Sequence, residues 1–220
     1  MAVIQYSKAH KIKEDRFLIM VFKIRKVVLQ YKSNLLIGLS VLVGMILVYI
    51  VYLNSRSAKE LRAAEFLGQA HILFENQNES DAVTLYNKVI QQFAGTRSAF
   101  ESSFYVGVLY YEKGNFPQAR QNFELSLKNK KNSLLYVAAQ AYIAATYEQE
   151  TKMDLAVRHY LETAKTSRFK FYRAESLLNA VRCYQSLGQY EEARKICQQV
   201  MSEFPKSDFE KRANNLLSLL

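Results

Sequence analysis

The chain has 220 residues, a net charge of +10 at pH 7 and a pI near 9.5. A basic balance of this size can mark a nucleic-acid binder, but +6 of it lies in residues 1–34, and residues 55–220 carry 22 basic against 18 acidic side chains. No basic stripe interleaved with stacking aromatics exists, so nucleic acid is excluded as a partner and the charge points to a membrane.

In chain order, residues 1–34 form a basic arm in which Lys8, Lys11, Lys13, Arg16, Lys23, Arg25, Lys26 and Lys32 outweigh Glu14 and Asp15. Within it, Phe17 to Leu29 mixes apolar residues with Lys23, Arg25 and Lys26. Two readings stand: an interfacial helix lying on anionic lipid, or a basic flank that only sets orientation. Residues 35–53 are 19 consecutive uncharged residues, about 28 Å of helix, close to the hydrocarbon thickness of a bilayer. A single transmembrane helix is predicted here, with Tyr49 and Tyr52 at its far interface. Gly38 and Gly44 lie six apart, so no close-packing GxxxG pair is present. Ser55-Arg56-Ser57 offers small residues for signal cleavage, but the apolar core and the region before it are too long, and Tyr52 and Leu53 crowd the site. The positive-inside rule places the N-terminus in the cytoplasm and everything after the span on the far side. Residues 54–62 read as a linker and the start of the first soluble helix.

From there the chain repeats itself. Ala82, Ala119, Ala156 and Ala193 recur every 37 residues. Leu73, Tyr110, Tyr147 and Tyr184 precede them at a fixed distance, as do the small residues Ala70, Gly107, Ala144 and Val181; Tyr86, Phe123, Tyr160 and Cys197 follow. Small residues where backbones meet, with large ones between, suit a stack of helical hairpins. The pattern resembles the tetratricopeptide repeat, in four copies over 63–206. Gly107, Tyr110, Gly114-Asn115-Phe116, Pro117, Ala119 and Phe123 carry the second copy; Tyr184, Gly188, Tyr190, Ala193 and Pro205 carry the fourth. The first and third copies are degenerate, with Gln77 and Thr151 in place of the turn glycine. Residues 207–220 read as a capping helix: Ser207 and Glu210 have capping-box spacing, and Phe209, Ala213, Leu216, Leu217 and Leu220 share one face. The fold class is therefore all-α, a helical solenoid behind one membrane helix.

The tetratricopeptide resemblance implies a concave groove lined by the first helix of each repeat. With the register placed on Gly107, the candidate protein-binding residues are Leu67, His71 and Phe74, then Phe104, Val108 and Tyr111, then Ala141, Ala145 and Glu148, then Leu178, Arg182 and Gln185. Such a groove is apolar at one end and polar at the other, suited to an unfolded or amphipathic protein segment. A related subtype grips a chaperone's terminal carboxylate with Lys and Asn. Phe104, Val108, Ala141, Ala145, Leu178 and Arg182 stand at those places, so that clamp is absent.

No catalytic apparatus is evident. His10, His71 and His159 are isolated, with no partner at i+4 to hold zinc, and the 7 glycines are scattered rather than gathered into a phosphate loop. Neither cofactor nor metal is expected. Cys183 and Cys197 fall in the two helices of the fourth hairpin and are either a disulfide or two small buried apolar residues.

The order of parts, basic arm, one span and an extracytoplasmic repeat domain, resembles the ancillary subunit of the bacterial Sec translocon. That resemblance implies an inner-membrane, single-pass scaffold acting on emerging proteins beside the channel, with the translocon and periplasmic chaperones as partners. Phe93-Ala94-Gly95-Thr96-Arg97-Ser98 and Phe204-Pro205-Lys206-Ser207 also resemble repeat boundaries of periplasmic envelope-assembly and division proteins. A mitochondrial import receptor, with its repeats in the cytosol, is the third alternative.

Overall fold

The computed structural model describes residues 16–128 and 133–220. Residues 1–15, with His10 and the arm's first three lysines, lie outside the described residues. Among the described residues ten helices follow in order: α1 (Arg16–Gln30), α2 (Lys32–Glu75), α3 (Glu79–Gln92), α4 (Arg97–Glu112), α5 (Phe116–Ser126), α6 (Leu134–Gln149), α7 (Met153–Thr166), α8 (Lys170–Ser186), α9 (Tyr190–Glu203) and α10 (Asp208–Leu217). The chain divides into two compact units, Met1–Arg56 and Ser57–Leu220.

The first unit holds α1, a break at Tyr31, and the apolar part of α2. By length and composition α2 is able to cross a membrane. Residues 54–62, expected as a linker and the start of the first helix, lie within α2. Asn54 to Ser57 contains neither Gly nor Pro, and Ala58, Lys59, Glu60, Leu61 and Arg62 are strong helix formers, so nothing ends the helix.

The second unit consists of four hairpins: the end of α2 with α3, α4 with α5, α6 with α7, and α8 with α9, closed by α10. All four repeat alanines are fully buried, as are the rings of Tyr86, Phe123 and Tyr160 and the Cys197 side chain. In the first copy Ile72 is 59% exposed, whereas its counterparts Leu109, Thr146 and Cys183 are 0–1% exposed.

One turn joins the helices of every hairpin. Gln77, Gly114, Thr151 and Gly188 all have φ between 58 and 74°. In each case the next N–H returns to a carbonyl of the preceding helix: Asn78 to Leu73, Asn115 to Tyr110, Lys152 to Tyr147 and Gln189 to Tyr184, at 2.8–2.9 Å. This is the Schellman closure of a helix end. Those acceptors are the large residues that the 37-residue period singles out. Pro117 sits in the first turn of α5, where a missing N–H costs nothing. Left-handed backbone is least suited to a β-branched residue. Thr151→Gly is therefore expected to raise the unfolding free energy by about 0.5–1 kcal/mol, after the entropy that glycine gains in the unfolded chain. Denaturant unfolding of the chain in detergent measures it, and an unchanged midpoint would show that the turn is not strained.

Carboxylates and arginines tie helices together within and between hairpins. Glu60 accepts the backbone N–H groups of Arg97 at 2.7 Å and Ser98 at 3.0 Å, as well as the Ser98 hydroxyl at 2.6 Å, closing the N-terminus of α4. Arg120 donates to Thr146 at 2.8 Å and to Glu150 at 3.2 Å, with its guanidinium 4.3 Å from the Tyr147 ring. Arg173 grips Glu203 at 2.7 and 2.9 Å, and Arg212 grips Glu175. At α10 the Ser207 hydroxyl accepts the Glu210 N–H, and the Glu210 carboxylate accepts the Lys206 N–H, one residue short of the reciprocal capping box.

The Arg173 guanidinium holds the Glu203 carboxyl below its ordinary range, and Lys152, then Arg120, do so for Glu150. A carboxyl depressed in the folded state stabilises the fold above its unfolded pKa, about 4.3, and that stability is lost as pH falls through the lower folded value. Unfolding midpoints are accordingly expected to fall below about pH 4, less steeply in Glu203→Gln; identical pH profiles for the two proteins would refute the assignment.

Candidate protein-binding cleft

Where α6 and α8 meet, a cleft of about 280 Å³ opens between the first helices of the third and fourth hairpins. Ala138, Ala141 and Ala145 recur at helical spacing along α6 and leave space that longer side chains would fill. Tyr142, Phe171 and Tyr172 form apolar walls, Glu175 and Asn179 stand on the α8 side, and Tyr160 contributes from α7. The Tyr142 ring is fixed, stacked on Phe123 at 5.0 Å and edge-on to Tyr111 at 5.4 Å. Ser176 also lines the cleft, and its buried hydroxyl has no hydrogen-bond partner among the described residues. A second recess, about 270 Å³, lies between α8 and α10 and is lined by Leu178, Arg182, Arg212, Asn215 and Leu216.

Glu148, Tyr160 and Arg182, beside the cleft, are paired with one another. The Tyr160 hydroxyl donates to Glu148 at 2.7 Å, and Arg182 donates to the other Glu148 oxygen at 3.0 Å. Burial first, then the Glu148 carboxylate, raises the pKa of Tyr160, and the same two causes push Cys183 up to about 12. In the first hairpin Tyr86 Oη lies 2.7 Å from His71 Nδ1, while His71 Nε2 lies 3.9 Å from Glu101 and its ring packs edge-on against Tyr105 at 4.5 Å. Burial lowers the pKa of His159, whose ring stacks on Tyr147 at 5.0 Å. Cys183 and Cys197 are both free thiols. Cys183 packs with Ala144 and Tyr160, and Cys197 with Val181 and Val200, so they fill separate parts of the core.

The expected groove residues therefore divide. Ala141 and Ala145 line the cleft, and Glu148 and Arg182 form an ion pair next to it. Phe74, Val108, Tyr111 and Gln185 are half-buried, and His71 belongs to the tyrosine cluster. Leu67, Phe104 and Leu178, which share one place in the repeat, do not form an open groove face. They are 8%, 8% and 1% exposed, packed into the cores of their hairpins, whereas Ala141, at the same place in the third copy, lines the cleft. One residue further on, Tyr142 and Asn179 line the cleft as well, and Tyr105 holds the same place in the second copy. The sequence carries a signal for it, since Tyr105 and Tyr142 also stand 37 apart. Tyr172, Glu175 and Asn179 were not indicated by a register placed on Gly107 alone.

The tetratricopeptide repeat-like domain family matches residues 28–218. No curated protein sequence matches the chain. Among solved structures, the nearly identical TPR-like repeats of a Podosopora anserina protein named for the kinesin light chain superpose with a TM-score of 0.56 at 18% identity, over 72% of this chain and 84% of that one. MamA from AMB-1 superposes with a TM-score of 0.53, also at 18% identity, over 73% of this chain and 81% of that one. Likenesses at this identity show the fold alone. On the extent of the family match, this chain belongs to the tetratricopeptide repeat-like domain family.

Proposed function

We propose that the chain is a membrane-anchored, non-enzymatic scaffold whose repeat unit takes hold of protein segments outside the cytoplasm, beside the Sec translocon and its periplasmic chaperones. The observation that carries this reading is a helix whose apolar window is wholly unburied, joined to a repeat unit with an open aromatic cleft. Water is a poor solvent for that window, and a bilayer supplies the missing cover. The basic arm sets the direction: N-terminus in the cytoplasm, repeats across the membrane. The cleft offers apolar walls with a few polar groups at its edge, which suits an apolar or aromatic side chain of an extended segment. The fold itself, used widely to bind proteins, adds support for a protein partner and for the absence of catalysis.

Two measurements test this. A reporter active only in an oxidising compartment, fused after Leu220, is expected to be active; activity of a cytoplasmic reporter alone would place the repeats in the cytosol and favour the import-receptor reading. A photo-crosslinker at Asn179 is expected to capture the translocation channel, its periplasmic chaperones or their clients. Tyr172→Ala is expected to weaken that capture by about 2 kcal/mol, as loss of an aromatic anchor commonly does. An extracytoplasmic reporter with no such crosslink would refute the translocon assignment and leave an envelope-assembly or division adaptor.

A further inference from the structure

The helix α1 carries a row of large apolar side chains, among them Met20, Phe22, Ile24, Val28 and Leu29, and all of them are exposed. Lys23, Lys26 and Gln30 stand at i, i+3 and i+7, so they share a sector about 60° wide on a helix of 3.6 residues per turn. The other side is apolar apart from Arg25, whose long stem is able to carry its charge toward water. An amphipathic helix this apolar does not remain in water uncovered.

Two facts restrict what covers it. First, α1 cannot extend the span: residues 16–53 would make about 57 Å of helix, nearly twice the hydrocarbon thickness, with Lys23, Arg25, Lys26 and Lys32 inside. The helical run is in fact broken at Tyr31. Second, α1 ends at Gln30, and the uncharged segment begins at residue 35. With only Tyr31 between α1 and α2, and four residues between α1 and residue 35, α1 is kept at the membrane surface whatever else it does. The charge of the arm, +6, matches the negative surface potential of a leaflet rich in anionic lipid.

We propose that α1 is an interfacial helix that binds anionic phospholipid headgroups through Lys23 and Lys26 while its apolar side enters the acyl boundary. The proposal rests on α2 being a membrane span. It adds a second lipid contact, one that depends on headgroup charge and fixes the arm against the cytoplasmic leaflet.

The test uses the full chain reconstituted into phosphatidylcholine vesicles, with and without phosphatidylglycerol. A fluorophore at Phe22→Cys reports α1, one at Ile46→Cys reports the span, and the unsubstituted chain controls for labelling of the native cysteines. With phosphatidylglycerol present, brominated lipid is expected to quench position 22, and Lys23→Glu with Lys26→Glu is expected to reduce that quenching several-fold while position 46 is unaffected. Quenching of position 22 by aqueous iodide to the same extent in both vesicles would overturn the proposal. So would lipid quenching that ignores both phosphatidylglycerol and the charge reversal, since headgroup recognition would then be absent. Failure of lipid to quench position 46 would instead remove the span on which the proposal stands.

Discussion

Adding a single methyl group at Gly107 is expected to cost about 1–3 kcal/mol of stability, because the site opposite is occupied by a ring that cannot retreat. A Cβ built there meets the Cδ1 and Cε1 atoms of Phe123 at 2.7 Å and Cζ at 3.1 Å. Phe123 is fully buried, with Phe104 at 5.7 Å and Tyr142 at 5.0 Å, so relief requires several aromatic residues to shift together. Phe123→Ala alone leaves a cavity and is expected to cost about 3–5 kcal/mol. Gly107→Ala combined with Phe123→Ala places the methyl in that cavity, so the pair should cost clearly less than the two single changes added. A double-mutant cycle from denaturant unfolding measures the coupling. Additive losses would show that Gly107 and Phe123 do not meet. The corresponding positions in the other copies, Ala70, Ala144 and Val181, already carry side chains, so the demand for glycine belongs to the second hairpin and its tight ring cluster.

The stack was legible because its packing repeats in register with the sequence. Buried small residues at Ala82, Ala119, Ala156 and Ala193 recur with nothing inserted between copies, so the period shows even where individual residues drift. Gln77 and Thr151 look like defects in the turn, yet the structure builds the same left-handed turn at both. There the returning hydrogen bonds to Leu73 and Tyr147 set the conformation against local preference. The run-through of α2 across 54–62 was hidden for the opposite reason: a change from apolar to polar composition marks a change of surroundings, and a helix passes through it if no residue breaks the ladder. The Glu60 cap on α4 was equally hidden, since contacts 37 and 38 residues away have no local pattern. Of the side chains that line the cleft, Ala141 and Ala145 follow from the register on Gly107, whereas Tyr172, Glu175 and Asn179 do not. Side chains at successive helix positions point about 100° apart, so neighbours on one helix differ in exposure. That difference separates Phe104 from Tyr105.

Phe104→Ala is expected to destabilise the repeat unit by about 3–5 kcal/mol, as for other buried phenylalanines. The ring is 8% exposed and packs against Tyr105, Phe123 and Tyr142 at 5.5–5.8 Å, which ties α4 to α5 and α6 at once. Phe104→Leu, which keeps most of the volume, should recover the larger part of that loss. Partner capture by Phe104→Ala is expected to fall as well, but only because the frame around Tyr142 loosens, so Phe104→Leu should restore capture along with the thermal midpoint. Ala145→Glu acts in the other direction: it sets an unpaired carboxylate against the apolar walls of the cleft and should lower capture about tenfold with little change in the melt. Thermal melts followed by circular dichroism, alongside crosslinking from Asn179, separate the two effects. If Phe104→Ala kept the wild-type midpoint while capture was lost, Phe104 would be a binding residue after all, and the open face would have to be redrawn through 67, 104 and 178.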